Sequence, residues 1–255
     1  MKKITLLITL LIFLFFAQES SACMCGNTSV CGAYAQAETI LTGKVKKIEN
    51  SEIDEKGDYK GNQIAFVEVV KSYKGTSEKV IKLSQQNSNC DWRFENYDVG
   101  ETFLFYLSKY KNQEQYSVIT CGRSAKIEEA ADDLSWLDAL PESLRRTRIS
   151  GLVRLKTENY RLLSEFGLKI TGKSKTYEVK TKNGLYEIWD VPAGQYSIMP
   201  SLGSEYALKT SSSIPENWTY FWSFDEKDLN ALKITIEPKS CGGIDFTLER
   251  KNDEK

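Results

Sequence analysis

The residues of this chain best placed to do chemistry are Cys23-Met24-Cys25. They follow Ser20-Ser21-Ala22, small residues of the kind a signal peptidase reads. Upstream stand a positive n-region, Lys2 and Lys3, and an apolar run from Ile4 to Ala17. Cleavage after Ala22 makes Cys23 the first residue of the mature protein. Such a cysteine carries a free α-amine, a carbonyl and a side chain on one residue. With the side chain tied in a disulfide, the amine and carbonyl are held rigidly and can chelate a metal as a five-membered ring. That chemistry exists only if this one peptide bond is cut.

Two other fates of the segment have to be weighed. The apolar run, about 14 residues, is shorter than the roughly 20 a membrane-spanning helix needs, so a retained anchor is not expected. Lipoprotein processing also cuts before a cysteine, and would leave a periplasmic or surface protein attached to a membrane through Cys23. The residue three positions before Cys23 is Ser20, not the leucine-like residue such processing prefers. Lipidation would also leave five other cysteines, an odd number.

Composition narrows the rest. Lys+Arg number 34 against 35 Asp+Glu, so no strong net field is available to capture nucleic acid, and none is expected as a partner. In Lys44-Val45-Lys46-Lys47, strand alternation puts Lys44 and Lys46 on a solvated face with Val45 opposite. Histidine is absent, which removes Ser-His-Asp and Cys-His pairs and the histidine ligands of most catalytic zinc sites. Glu128, Glu129, Asp132 and Asp133 offer a carboxylate pair for acid–base work. They sit on an amphipathic helix, however, and read as its solvated acidic face. The chain is expected to be no enzyme and to need no cofactor. Its six cysteines suit an oxidising compartment and up to three disulfides, with 15 connectivities open.

The elements that must position the N-terminus fall into two blocks. Without residues 1–22, about 230 residues remain, enough for one large or two ordinary domains. Segments 39–49, 62–73, 78–84, 101–110 and 115–121 each carry β-branched or aromatic residues in near alternation, with Leu41, Gly43 and Val45 sharing an inward face. Five such strands suggest a small closed barrel, which leaves few edges. Over 127–140 the period switches to three and four, through Ile127, Ala130, Ala131, Leu134, Leu137 and Leu140, which predicts a helix ended by Pro141. Residues 141–147 read as a linker. From Ile149 the period returns to two, with turns at Lys182-Asn183-Gly184 and Val191-Pro192-Ala193-Gly194. That spacing predicts a β-sandwich over 148–250, followed by a charged tail at 251–255. Trp218, Tyr220, Phe221 and Trp222 read as sandwich core or as a binding surface. Asn27-Thr28-Ser29 and Asn217-Trp218-Thr219 are glycosylation acceptors where the secretory pathway performs that step.

Cys-x-Cys at a mature N-terminus, Cys31 soon after, and then Ala37-Glu38-Thr39-Ile40-Leu41-Thr42-Gly43-Lys44-Val45 resemble the netrin-like domain of the tissue inhibitors of metalloproteinases. The spacings of Cys23 to Cys90 and of Cys25 to Cys121 are close to those of that family's first two cysteine pairs. Over residues 23–140 the resemblance implies a mainly β fold: a five-stranded OB-fold barrel with flanking helices and disulfides Cys23–Cys90 and Cys25–Cys121. With those four paired, Cys31 and Cys241 are left to bridge the two domains. The chain departs from the family in placing Cys31 early, in lacking a cysteine near residue 140 and in lacking the inhibitors' own C-terminal domain. Asn183-Gly184-Leu185-Tyr186-Glu187-Ile188, followed by Val191-Pro192-Ala193-Gly194-Gln195-Tyr196, looks like the carboxypeptidase regulatory-like, or prealbumin-like, sandwich. Those positions are structural in that family and imply a fold, not an activity.

In the inhibitors, the N-terminal cysteine's amine and carbonyl bind the catalytic zinc of the target protease. The resemblance therefore implies that Cys23 ligates that zinc, that Met24 enters the target's apolar pocket, and that Cys25 braces the wedge. The zinc is the partner's. The alternatives are a secreted netrin-like binding module without inhibitory activity and a surface component in which the sandwich is a spacer.

Overall fold

The computed structural model describes residues 28–50, 63–85, 92, 94, 98–109, 115–120, 122–157, 161–214 and 232–251. The chain enters through a short helix, α1 (Val30–Gln36), started by Ser29, whose hydroxyl accepts the Gly32 N–H at 3.2 Å. The strands that follow are β1 (Thr39–Asn50), β2 (Gln63–Lys74), β3 (Val80–Gln85), β4 (Thr102–Lys109), β5 (Tyr116–Val118) and β6 (Ala125–Lys126). The five expected strands are thus β1 to β5, and β6 is an added short one. They pair in the order β1-β2-β3-β5-β4, and β4 returns to β1, so the sheet closes. The β3–β5 contact is parallel, whereas the others around the ring are antiparallel. This is the five-stranded OB-type barrel.

Closure asks one strand to bend enough to serve two neighbours. β1 pairs with β4 over Thr39–Lys44 and with β2 along its length, with register shifts at three places. The shift between Val45 and Lys47 leaves Lys44, Lys46 and Lys47 all exposed while Val45 stays buried, as alternation predicts for Lys44 to Lys46. Gly43 sits in the bend, where a Cβ would overlap Val67 Cγ1 and press on Leu41 Cδ1. Both neighbours are fully buried, so neither can move aside. Gly43→Ala is expected to lower stability in urea by about 1–3 kcal/mol, the usual cost of overfilling a packed interior. Wild-type stability in that variant would mean that the bend has slack.

The barrel interior is filled by Leu41, Val45, Val67, Ile81, Leu83, Phe103 and Phe105. Trp92 and Phe94 pack against it, with ring centres 5.9 Å (Trp92–Phe103) and 6.0 Å (Phe94–Phe105) apart. The predicted helix over 127–140 is shorter than expected. A 3₁₀ turn at Ile127–Glu129 precedes α2 (Ala131–Asp138). A second 3₁₀ turn, Glu142–Arg145, occupies the expected linker, and Arg146 beyond it pairs with Asp190 at 2.6 Å.

The second half supplies β7 (Arg148–Leu155), β8 (Arg161–Leu162), β9 (Gly167–Gly172), β10 (Thr176–Lys180), β11 (Leu185–Trp189), β12 (Gly194–Pro200), β13 (Tyr206–Ile214), β14 (Lys233–Ile236) and β15 (Cys241–Arg250). One sheet runs β10-β9-β12-β14 and the other β11-β7-β15-β13. Between them lie Ile149, Val153, Tyr186 and Phe246 from one side and Leu168, Ile170, Tyr196 and Ile198 from the other, a sandwich core. Asn183 and Gly184, at φ 51° and 78°, make the tight reversal expected of that pair. The fold class is therefore as the sequence predicts: mainly β, a closed barrel followed by a sandwich. The aromatic cluster at 218–222 lies outside the described residues.

Candidate functional site

A third core lies where the two halves meet. Val30, Ala33 and Ala37 around α1, Ile40 and Leu104 from the barrel, Trp136 and Leu137 from α2, and Cys241 from β15 are buried together, and Trp189 packs against them. Tyr34 stacks obliquely on Trp136 with ring centres 5.1 Å apart. Cys31 and Cys241 form a disulfide across this junction, with Cα atoms 5.9 Å apart and a sequence separation of 210. That bridge is the one left over when the other four cysteines are paired. Cys23, Met24 and Cys25, and their expected partners Cys90 and Cys121, lie outside the described residues.

Next to the bridge is a network of buried charge. Arg123 forks onto Asp133, Nε to Oδ1 and a terminal nitrogen to Oδ2, both at 2.7 Å. The same terminal nitrogen donates to Asp132 Oδ2 at 2.7 Å, and the other donates to the Thr28 carbonyl at 2.9 Å. Arg148, at the start of β7, is completely buried. It meets Asp132 Oδ1 at 2.9 Å on one side and Glu187 Oε2 at 2.8 Å on the other. Tyr106 donates to Asp133 Oδ1 at 2.6 Å, and Ser135 and the Trp189 indole both donate to Glu187. Arg148 also lies 4.9 Å from the centre of the Trp189 ring, and Arg146 lies 4.6 Å from it.

This corrects the expectation of a solvated acidic face. Glu128 and Glu129 are exposed as expected, but Asp132 and Asp133 are buried. The reason is position as well as partnership. Both lie in the first turn of α2, where unpaired N–H groups favour negative charge and Ala130 supplies no capping side chain. Burial alone would push the Asp132 carboxyl up, but Arg148 and Arg123 outweigh it and hold that group below the ordinary carboxylate range. Burial likewise works against the Arg123 charge, and Asp133 and Asp132 more than restore it. Burial beside Asp133 keeps the Tyr106 phenol protonated well above its usual value.

Asp245, not far along β15, has the opposite balance. Burial dominates and raises its carboxyl, although Arg154 and the Leu152 N–H, which donates to it at 2.8 Å, offset part of the effect. That contact and the Tyr186 hydroxyl, which donates to the Ile244 carbonyl at 2.7 Å and accepts the Ile244 N–H at 3.0 Å, fill a stretch where β7 and β15 lack ladder bonds. The sequence does not single out Arg123 or Arg148, and it offers Glu187 only as part of the sandwich's Asn183–Ile188 stretch. The usable signal was the Asp132-Asp133 pair at a helix start, with no capping residue ahead of it.

Among the described residues, no group of three His, Cys, Asp or Glu is placed to hold a metal, and no helix is long and apolar enough to cross a membrane. The acidic residues at the junction face arginines, so the arrangement is built to fix positions. What it fixes is the segment that begins at Thr28, three residues after Cys25.

No protein-family model matches the chain, and no curated protein matches it. Among solved structures it is similar to the major pilin protein T3.2 of Streptococcus pyogenes serotype GAS13637, at 11% identity and a TM-score of 0.25 over 91% of this chain and 95% of that one. Nothing about this chain rests on a likeness of that degree.

Proposed function

We propose that the mature protein is a secreted inhibitor of a zinc metalloendopeptidase, similar in mode to the tissue inhibitors of metalloproteinases, and not an enzyme. Cys23 gives its amine and carbonyl to the target's zinc, Met24 enters the pocket beside it, and Cys25 braces the wedge. The observation that carries this reading is the Arg123–Thr28 bond. It ties the Thr28 backbone, three residues after Cys25, to the side chain of Arg123, two residues after Cys121, as a Cys25–Cys121 bridge would require of its flanks. The closed barrel order and the Cys31–Cys241 bridge support the same pattern of pairing. An amine fixed on a rigid barrel loses little freedom on binding, which is what makes so small a wedge effective.

Placing one extra alanine before Cys23 tests the chelation. The barrel and its disulfides are untouched, but the amine no longer reaches the metal. Loss of affinity should exceed the roughly 10–100-fold that removing an outer hydrogen-bond partner of a metal ligand costs. Inhibition by the parent should also tighten as pH rises towards about 8, because only the unprotonated α-amine binds zinc. Equal inhibition by parent and extended protein would refute the mechanism. A correctly cut parent that inhibits no zinc endopeptidase in a broad panel would favour a binding module without inhibitory activity.

A further inference from the structure

We infer that Arg123 is the positioning residue for the N-terminal segment, and that the sandwich domain serves as the second jaw of the clamp holding that segment. The inference rests on the proposal that the N-terminus is the inhibitory site, and it gives the sandwich a part in that site.

The segment Thr28–Gln36 is gripped at two points by different halves of the molecule. At its start, the Thr28 carbonyl accepts from Arg123, a barrel residue. One helical turn later, Cys31 is bonded to Cys241 on β15 of the sandwich. The Cys31 N–H also points at Cys241 Sγ, 3.1 Å away. Val30 and Ala33 are buried between the two halves. A seven-residue helix is too short to be stable alone, so its order comes from these anchors.

The guanidinium suits this task in a way that a lysine would not. It spends one face on both carboxylates of α2, which fixes its plane, and the remaining corner meets the carbonyl. Asp132 is shared with Arg148, which enters from β7. A continuous line therefore runs from the sandwich through Arg148, Asp132 and Arg123 to the backbone at Thr28. The disulfide runs a second, covalent line to the same segment.

Hydrogen exchange of the full mature protein tests this directly. The reporting amides are Gly32, Ala33 and Ala37, which donate to Ser29 Oγ, the Ser29 carbonyl and the Ala33 carbonyl. Arg123→Lys keeps the charge beside Asp132 and Asp133 but cannot reach all three acceptors. It should speed exchange over 28–37 by tenfold or more while the β1–β4 ladder keeps its parental protection. The paired change Cys31→Ser with Cys241→Ser should speed the same peptide through the other anchor. Where Arg123→Lys does not fold, Asp133→Asn loosens the fork and gives the same readout.

Parental exchange over 28–37 in the Arg123→Lys or Asp133→Asn variant would overturn the assignment. So would a rise matched equally by β1, since that reports general loosening. In an inhibition assay, Arg123→Lys should weaken a parent that inhibits. If exchange responds and the parent inhibits nothing, the positioning role stands and the inhibitor reading fails. The two are thus separable.

Discussion

In urea at neutral pH, Asp132→Ala should unfold with about 3–5 kcal/mol less stability than the parent, the range found when one partner of a buried ion pair is deleted. The Asp132 side chain is only 3% exposed and stands between Arg123 and Arg148. Its removal leaves Arg148, with no exposed surface at all, one carboxylate, Glu187, which is partly open to water, and the residue 132 carbonyl at 3.3 Å. The effect has a pH signature. Because the Asp132 carboxyl is held below the ordinary range in the folded state, the unfolded chain takes up its proton first as pH falls. The stability it contributes is therefore complete above about 4 and is lost as pH drops below that value. The gap between parent and Asp132→Ala should close over the same acidic window. Asp245 works in the opposite sense. Its raised carboxyl favours the folded state in acid, and that contribution fades as pH rises through the raised value. A gap between parent and Asp132→Ala that stayed constant down to pH 2 would show that Asp132 acts through packing and not through charge.

Opening the Cys31–Cys241 bridge is expected to cost about as much or more. Closing a loop of this length removes roughly 5 kcal/mol of chain entropy from the unfolded state on the loop-closure estimate. Any other disulfide inside the loop reduces that figure by shortening the effective ring. The measurement is denaturation of the Cys31→Ser, Cys241→Ser double variant against the parent without reductant. A loss below about 1 kcal/mol would mean that the junction core alone fixes the segment. A second readout is covalent. The turn at Glu142–Arg145, exposed except at Ser143, offers a protease a cleavage point after Leu144 or Arg145. After a cut there, the halves of the parent should stay joined until reductant is added, and those of the variant should not stay covalently linked.

How much of this was legible in the sequence depends on whether the signal was periodic or relational. The barrel strands were plain because Leu41 and Val45 are buried with Lys44 and Lys46 exposed; β3 alternates in the same way and β2 in part, whereas Phe103 to Leu107 of β4 are buried in one run. The Asn183-Gly184 reversal was legible because only a few residue types accept two positive φ values in succession. The charge network was not legible. Arg123, Asp132 and Arg148 belong to a loop, a helix and a strand, and nothing in their separate surroundings says that they converge. An aspartate pair on a helix ordinarily faces water, and here the neighbouring domain covers it. Cys31–Cys241 was reachable only by subtraction, since it joins positions whose local contexts share nothing. The proposed wedge itself, Cys23 to Cys25, was read from its chemistry and its likeness to known inhibitors.

The position of β15 bears on how the protein comes to be finished. It follows every other described strand in the chain, yet it is an interior strand, paired with β7 in parallel and with β13 in antiparallel sense. It also carries Cys241. A nascent chain emerging N-terminus first can therefore close its barrel early and pair β7 with β11, but it cannot cover the other edge of β7 or secure Cys31 until β15 arrives. Long-range pairing of that kind is slow to form. Until then Cys31 is an unspent thiol on a loose segment, open to pairing with the wrong cysteine. Products truncated ahead of Cys241 should accordingly be scrambled or degraded instead of accumulating as shorter folded proteins. The order of the segment after Ser29 thus depends on a strand whose Cys241 is synthesised 210 residues after Cys31.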